Sequence, residues 1–175
     1  MNYADIKYCD VANGEGVRVS LFVSGCTHHC KECFNKEAWD FHYGNPFTQK
    51  EIDRILEYLK PNYIAGLSLL GGEPMEPVNQ EGILPLLRVV KQTYPEKNIW
   101  CYTGYLFDKD VLDKMCKESE VTKEIVSYLD IVVDGEFMID RKNLKINFRG
   151  SDNQRIIDVK KTLDAGEIVH WEREI

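Results

Sequence analysis

The chain has 175 residues, 43% of them hydrophobic and 29% charged, with 22 Lys and Arg against 29 Asp and Glu for a net charge of −7. A chain of this length buries about 70% of its unfolded surface, needs no disulfide staples, and predicts one domain over 1–175. The acidic balance argues against an electrostatic nucleic-acid binder, and no apolar run approaches the roughly 20 residues of a membrane helix. Met1–Lys7 lacks the apolar stretch of a secretory signal, so the expected location is the cytoplasm. The six cysteines then read as metal ligands or reactive thiols before disulfides.

Val17–Ser24, rich in β-branched and aromatic residues, predicts a first strand running into Gly25 and Cys26. A loop holding most of the cysteines follows, to about Pro46. Thr48 and Glu51 form a capping box, and Ile52, Ile55, Leu56 and Leu59 share one helical face up to Lys60-Pro61-Asn62. Ile64–Leu70 predicts a second strand, ended by Gly71-Gly72. Ile83–Val90 has helical period, with Pro85 expected in its first turn or as a kink. Asn98–Tyr102 predicts a third strand closed by Thr103-Gly104, and Asp108–Cys116 a helix with Val111, Leu112 and Met115 on one face. Asp130–Val133 predicts a fourth strand closed by Asp134-Gly135, and Arg155–Val159 and Glu167–Trp171 read as short strands.

Strands alternating with helices imply an α/β fold with a mainly parallel sheet and crossover helices. At this length an open, partial β/α barrel is expected rather than the roughly 250-residue closed form. Ligands of such sheets gather at the carboxyl ends of the strands. Those ends carry Cys26, Gly71-Gly72-Glu73, Thr103-Gly104 and Asp134-Gly135.

The central feature is Cys26-Thr-His-His-Cys30-Lys-Glu-Cys33. Three thiols this close converge on something between them, and thiolates suit zinc or an iron–sulfur cluster. A four-iron cluster usually takes four cysteines, so three leave one iron open for chemistry. A structural zinc completed by His28, His29 or His42 competes, but the second ligand pair of such sites is missing. A ferredoxin site with Cys9 as fourth ligand competes as well, though ferredoxin spacings differ. Cys9, Cys101 and Cys116 read as buried small residues.

Cys26-x3-Cys30-x2-Cys33 after one strand, with Gly71-Gly72-Glu73-Pro74 after the next, resembles the radical S-adenosylmethionine (SAM) superfamily. Asn13-Gly14-Glu15-Gly16, Asn35-Lys36, Trp39, Tyr102-Thr103-Gly104-Tyr105, Asp134-Gly135-Glu136-Phe137 and Phe148–Arg155 narrow the resemblance. Together they look like the activating components of anaerobic (class III) ribonucleoside-triphosphate reductases, from about Tyr8 to Lys160. The resemblance implies a radical SAM barrel with a [4Fe-4S] cluster on Cys26, Cys30 and Cys33, whose open iron chelates SAM. Reductive cleavage of SAM then yields a 5′-deoxyadenosyl radical, which takes a hydrogen atom from a glycine of the reductase large subunit. It further implies a flavodoxin-like electron donor, while charge and the short apolar runs lead to the expectation of no nucleic-acid or membrane partner. Gly71, Gly72 and Glu73 would meet the SAM amino group, Glu73 either as acceptor or as an orienter of the loop. Thr103 and Asp134 would reach the ribose or the methionine. The adenine aromatic of the superfamily often precedes the third cysteine; here Glu32 holds that place and Phe34 follows Cys33. Arg149–Ser151 and Asn153–Arg155 carry donors for a ligand or a partner, or else surface ion pairs. The rival readings are a small radical SAM enzyme with another target, and a metal-binding interaction module without turnover.

Overall fold

The computed structural model describes residues 1–33 and 36–173. Seven strands form one sheet: β1 (Asn2–Asp10), β2 (Val17–Val23), β3 (Asn45–Pro46), β4 (Ile64–Gly71), β5 (Asn98–Thr103), β6 (Ile131–Asp134) and β7 (Arg155–Asp158). Their order is β3-β1-β2-β4-β5-β6-β7. The pairs β2–β4, β4–β5 and β5–β6 are parallel, as the alternating pattern predicts. The flanking pairs β1–β2, β1–β3 and β6–β7 are antiparallel, so the sheet is mixed, with a parallel centre.

The pleat sorts the side chains into two faces. Val19, Leu21, Val23, Leu67, Leu69, Ile99, Cys101 and Val132 point to the main apolar core. They pack against Ile52, Ile55 and Leu59 of α1 (Gln49–Leu59) and the Ile83–Val90 stripe of α2 (Pro77–Thr93). Each such side chain contributes roughly 1.5–3 kcal/mol by leaving water. The opposite face carries Arg18, Ser20 and Ser68, all fully buried, and a second apolar group of Trp100, Ile131 and Val133. Among the described residues no helix packs on this second apolar group; Phe148 and Trp171 do so instead.

Several elements differ from the sequence expectation. β1 was not expected, because only Tyr3 and Asp10 among its side chains are buried and no apolar alternation marks it. α2 starts six residues before Ile83, placing Pro85 inside the helix rather than in its first turn. The helix continues because Pro85 is exposed, so the Glu81 carbonyl that loses its donor faces water. Residues Phe107–Met115 form a π-helix in place of the expected α-helix, with the Val111 amide donating to Leu106 O (3.1 Å). A short turn α3 (Cys116–Glu118) leads to α4 (Glu120–Tyr128), also unexpected, whose N-cap Ser119 accepts from the Thr122 amide. Glu167–Trp171 makes only a single bridge, His170 to Ile157, ahead of which runs α5 (Val159–Ala165). Cys9 is exposed, at positive φ beside a register shift of β1, while Cys101 is buried as expected. Among the described residues no helix is long and apolar enough to cross a membrane.

Candidate functional site

The carboxyl ends of β2, β4, β5 and β6 lie on one sheet edge, and the residues following them wall a cavity of about 430 Å³. Cys26, Cys30 and Cys33 line it from the loop after β2, and Gly71, Gly72 and Glu73 from the turn after β4. Tyr102, Thr103 and Gly104 close β5 on it, and Gly135, Glu136 and Phe137 follow β6. Leu70, Val133, Ile146 and Phe148 supply apolar wall, and Ala12 and Asn13 come from the loop between β1 and β2. The volume suits a small organic ligand, for which pockets commonly run to several hundred Å³.

The root of the cysteine loop is fixed by backbone. The Gly25 amide donates to Ala38 O (2.7 Å), Cys26 N to Trp39 O (3.2 Å) and Glu73 N to Gly25 O (2.7 Å). Gly72 sits against this root so closely that a Cβ there would lie 2.6 Å from Gly25 O and 2.7 Å from Ala38 O. Gly71, at φ +115°, adopts a backbone that a side chain disfavours. Glu76 accepts from both the amide (3.1 Å) and hydroxyl (2.6 Å) of Thr27, holding the residue after Cys26. Farther out the loop turns through His29 and Glu32, both at positive φ, and His29 stacks on Trp39.

Glu73 is 1% exposed, and its carboxylate is saturated by the protein. It accepts from His28 Nε2 (2.8 Å), the Gly104 amide (2.7 Å), the Met75 amide (2.8 Å) and the Thr103 hydroxyl (2.9 Å). Through these bonds it ties the ends of β4 and β5 to the cysteine loop. His28 lies between Glu73 and Glu136, with Nδ1 to Glu136 at 2.9 Å. Burial disfavours its cation, but hydrogen bonds and charge from the two carboxylates outweigh this and raise its pKa to about 9. Burial pushes the Cys26 thiol up to about 11 and raises Cys30 too. Such thiols become thiolates when a bound cation supplies the compensating charge.

The three cysteines line one cavity, yet among the described residues no three His, Cys, Asp or Glu are gathered tightly enough for a single metal ion. A cubane carries its irons at separate corners and takes thiolates spread around it. His42, with its side chain 95% exposed, and Cys9 are not part of the cavity wall. Two buried polar atoms of wall residues have no protein partner, the Tyr102 hydroxyl and Arg149 Nε. An unmade buried hydrogen bond costs about 1–3 kcal/mol, so both suit a polar ligand. Sequence reasoning quoted Tyr102 only as part of a strand end; the alternation of β5, which turns Cys101 and Thr103 away from Tyr102, is the signal that finds it.

Asp134 does not line the cavity. Fully buried, it accepts from Arg155 Nη2 (2.6 Å) and Nε (3.0 Å) and from the Phe107 amide (2.7 Å). Arg155 also reaches Asp108 (3.0 Å), and the two carboxylates hold its pKa above the usual guanidinium value. Glu32 is exposed and outside the wall. Phe34 lies outside the described residues. Gln154 and Asn153 staple the loop after β6: the Gln154 side chain donates to Gly135 O (3.0 Å) and accepts from the Gly150 amide (2.8 Å). Asn153 donates to Glu136 O (2.9 Å).

The floor is set from the other end of the sheet. Arg18 is fully buried and donates to Ser68 Oγ (2.7 Å), Glu15 O (3.0 Å) and Leu67 O (2.9 Å). Ser68 in turn donates to Asn13 O (2.6 Å). Burial lowers the arginine's pKa to about 10. This chain of bonds carries Asn13 to its place under the cavity.

The profile of the family described as "4Fe-4S single cluster domain" matches residues 12–157. The chain is 43% identical over 158 residues to the anaerobic ribonucleoside-triphosphate reductase-activating protein of Enterobacteria phage T4, covering 89% of this chain and 93% of that one. It is 40% identical to the protein of the same name from Pasteurella multocida (strain Pm70), over 89% of this chain and 96% of the relative. The namesake from Escherichia coli (strain K12) is 38% identical, over 88% and 96%.

Proposed function

Because this chain belongs to the family of anaerobic ribonucleoside-triphosphate reductase-activating proteins and carries a 4Fe-4S single cluster domain, we propose that it is a radical SAM activase. In this reading the whole chain is one radical SAM domain, and its open sheet is the partial barrel of that superfamily. The protein cleaves SAM reductively to methionine and a 5′-deoxyadenosyl radical. That radical takes a hydrogen atom from a glycine of the reductase large subunit, giving 5′-deoxyadenosine and a glycyl radical.

The observation that carries the reading is the convergence of Cys26, Cys30 and Cys33 with the Gly71–Glu73 turn on one cavity at the strand ends. A [4Fe-4S] cluster on those three cysteines would supply one electron and an iron open to the SAM amino and carboxylate groups. Gly71 and Gly72 let backbone approach the bound methionine moiety, and Thr103 and Glu73 keep that turn in register with β5. The Tyr102 hydroxyl and Arg149 Nε give polar partners to SAM, and Leu70, Val133 and Phe148 keep water from the reacting carbon. Asp134 acts at one remove, by fixing the start of the π-helix and Arg155. The electron donor in this reading is a flavodoxin-like protein, on the strength of the resemblance alone.

The test uses protein purified without oxygen, mixed with dithionite and SAM. The expected result is about four irons and four sulfides per chain, 5′-deoxyadenosine formation lost in Cys30→Ala, and a glycyl radical signal once the reductase is added. Zinc in place of iron, or cleavage with no radical on the reductase, would overturn it.

A further inference from the structure

The segment between β6 and β7 forms part of the cavity border. Phe137, Ile146, Phe148 and Arg149 of this segment line the cavity. Its outer side presents Leu144, 81% exposed, and Met138, 45% exposed. Between Met138 and Arg149 stand four cations and one acid, in a chain whose net charge is −7. The segment is not a loose loop. Met138 N donates to Ser151 Oγ (3.2 Å), Asn143 N to Gly150 O (3.3 Å) and Asp152 N to Arg141 O (2.9 Å). Arg141 pairs with Asp152, and Lys145 stands exposed beside Leu144. A hydrogen-bonded hairpin-like flap thus holds an apolar tip in water, flanked by positive charge, on the rim of the cavity.

We infer that the rim segment Met138–Arg149 is the docking strip for the protein substrate, and that it takes an extended segment combining acidic and apolar side chains. The inference rests on the activase reading and adds where the reductase is held. The rest of this chain repels an acidic partner, so an acidic segment finds attraction on this strip. A chain lying over Leu144 and Met138 continues directly onto Phe137 and Phe148, and so over the cavity into which its reacting residue must be delivered.

The experiment compares wild type with a Leu144→Ser/Lys145→Glu double variant. Both positions are exposed, so folding is retained, which uncoupled SAM cleavage at the wild-type rate checks. Leu163→Ser, on α5 at the opposite sheet edge, is the control for an exposed apolar residue off the strip. Binding to the reductase large subunit is measured at two salt concentrations, with sedimentation of each variant alone. The expected result is a Kd raised about tenfold or more in the double variant, with a weaker salt dependence and no change in Leu163→Ser. A Kd within about twofold of wild type overturns the docking strip and leaves the activase reading standing. A wild-type dimer that becomes monomeric in the double variant, with reductase binding intact, assigns the strip to a second copy and also overturns it. A wild type that cleaves SAM but binds no reductase overturns the activase reading and the strip with it.

Discussion

Replacing Glu73 by glutamine tests whether this carboxylate holds the site together or holds the ligand. In the structure both oxygens are taken: Oε1 by His28 and Gly104, Oε2 by Met75, with the Thr103 hydroxyl within reach of each. Glutamine keeps one oxygen. Its amide nitrogen then faces a buried backbone donor, which loses its acceptor at a cost of about 1–3 kcal/mol. The charge-assisted bond to His28 becomes an ordinary one, losing roughly 1 kcal/mol more. The sum, about 2–4 kcal/mol, overlaps the range of about 3–5 kcal/mol for breaking a buried ion pair by removing one partner. At about 2–4 °C per kcal/mol for a chain of this size, Tm falls by roughly 4–16 °C. Thermal unfolding of the anaerobically purified variant, with iron counted per chain, is the assay. If Tm stays within about 2 °C of wild type and only the KM for SAM rises, Glu73 is a ligand contact and the positioning argument is wrong.

Gly72→Ala places a Cβ against two carbonyl oxygens of the cysteine-loop root, which is backbone and cannot swing aside. We expect folded protein with a displaced loop, seen as iron bound at well under half the wild-type level after anaerobic reconstitution. Asp134→Asn should destabilise the fold by about 3 kcal/mol, because Arg155 loses its buried partner. Its KM for SAM should stay unchanged, and a selective rise in that KM would return Asp134 to the ligand. Asp10 supplies the pH prediction. Burial opposes its ionisation, but bonds from Ser20, Ala12 and Asn13 and the charge of Lys7 prevail and lower its pKa. A depressed carboxylate gives stability that is present above its unfolded pKa, near 4, and is lost as pH falls through the folded value. Asp10→Asn should therefore flatten the acid limb of the stability curve below about pH 4 and lower stability at neutral pH; an unchanged acid limb would refute this.

The parallel centre of the fold was legible because each strand is a short apolar run ended by Gly or a polar pair, as at Leu70-Gly71 and Tyr102-Thr103-Gly104. The flanks were not. β1 is a strand by partnership with β2, and residues such as Asp5 and Lys7 carry no burial signal. Pro85 misled because a proline marks a helix boundary only where the carbonyl it orphans is buried. α4 left a readable trace, Ser119 ahead of Ile125, Val126 and Leu129, that the preceding charged stretch obscured. At the site, the cysteines and glycines were legible because their chemistry lies in residue type and spacing. Glu73 and Asp134 were not distinguishable from ligand contacts, since their partners, Gly104, Met75 and Phe107 amides and Arg155, are far away in sequence. A buried acid at a strand end reads the same whether it faces a substrate or its own backbone.

The two borders of the sheet bear on how another chain can approach. On one side the last strand, β3, is two residues long and includes Pro46, which has no amide to donate. On the other, β7 is covered along its outer side, where Asp158 N donates to Val169 O (2.9 Å) and Trp171 N to Ile156 O (2.9 Å). The β7 border thus lacks the row of free amides and carbonyls that strand addition requires, whereas β3 covers β1 only at Asn2 and Tyr3. Self-association by edge-to-edge stacking is blunted at the β7 border for the same reason. In the activase reading, a polypeptide substrate approaching beside β7 gains no backbone ladder there and is recognised through side chains at the cavity rim, which makes the sequence of the delivered segment, and not merely its extended form, the basis of selection.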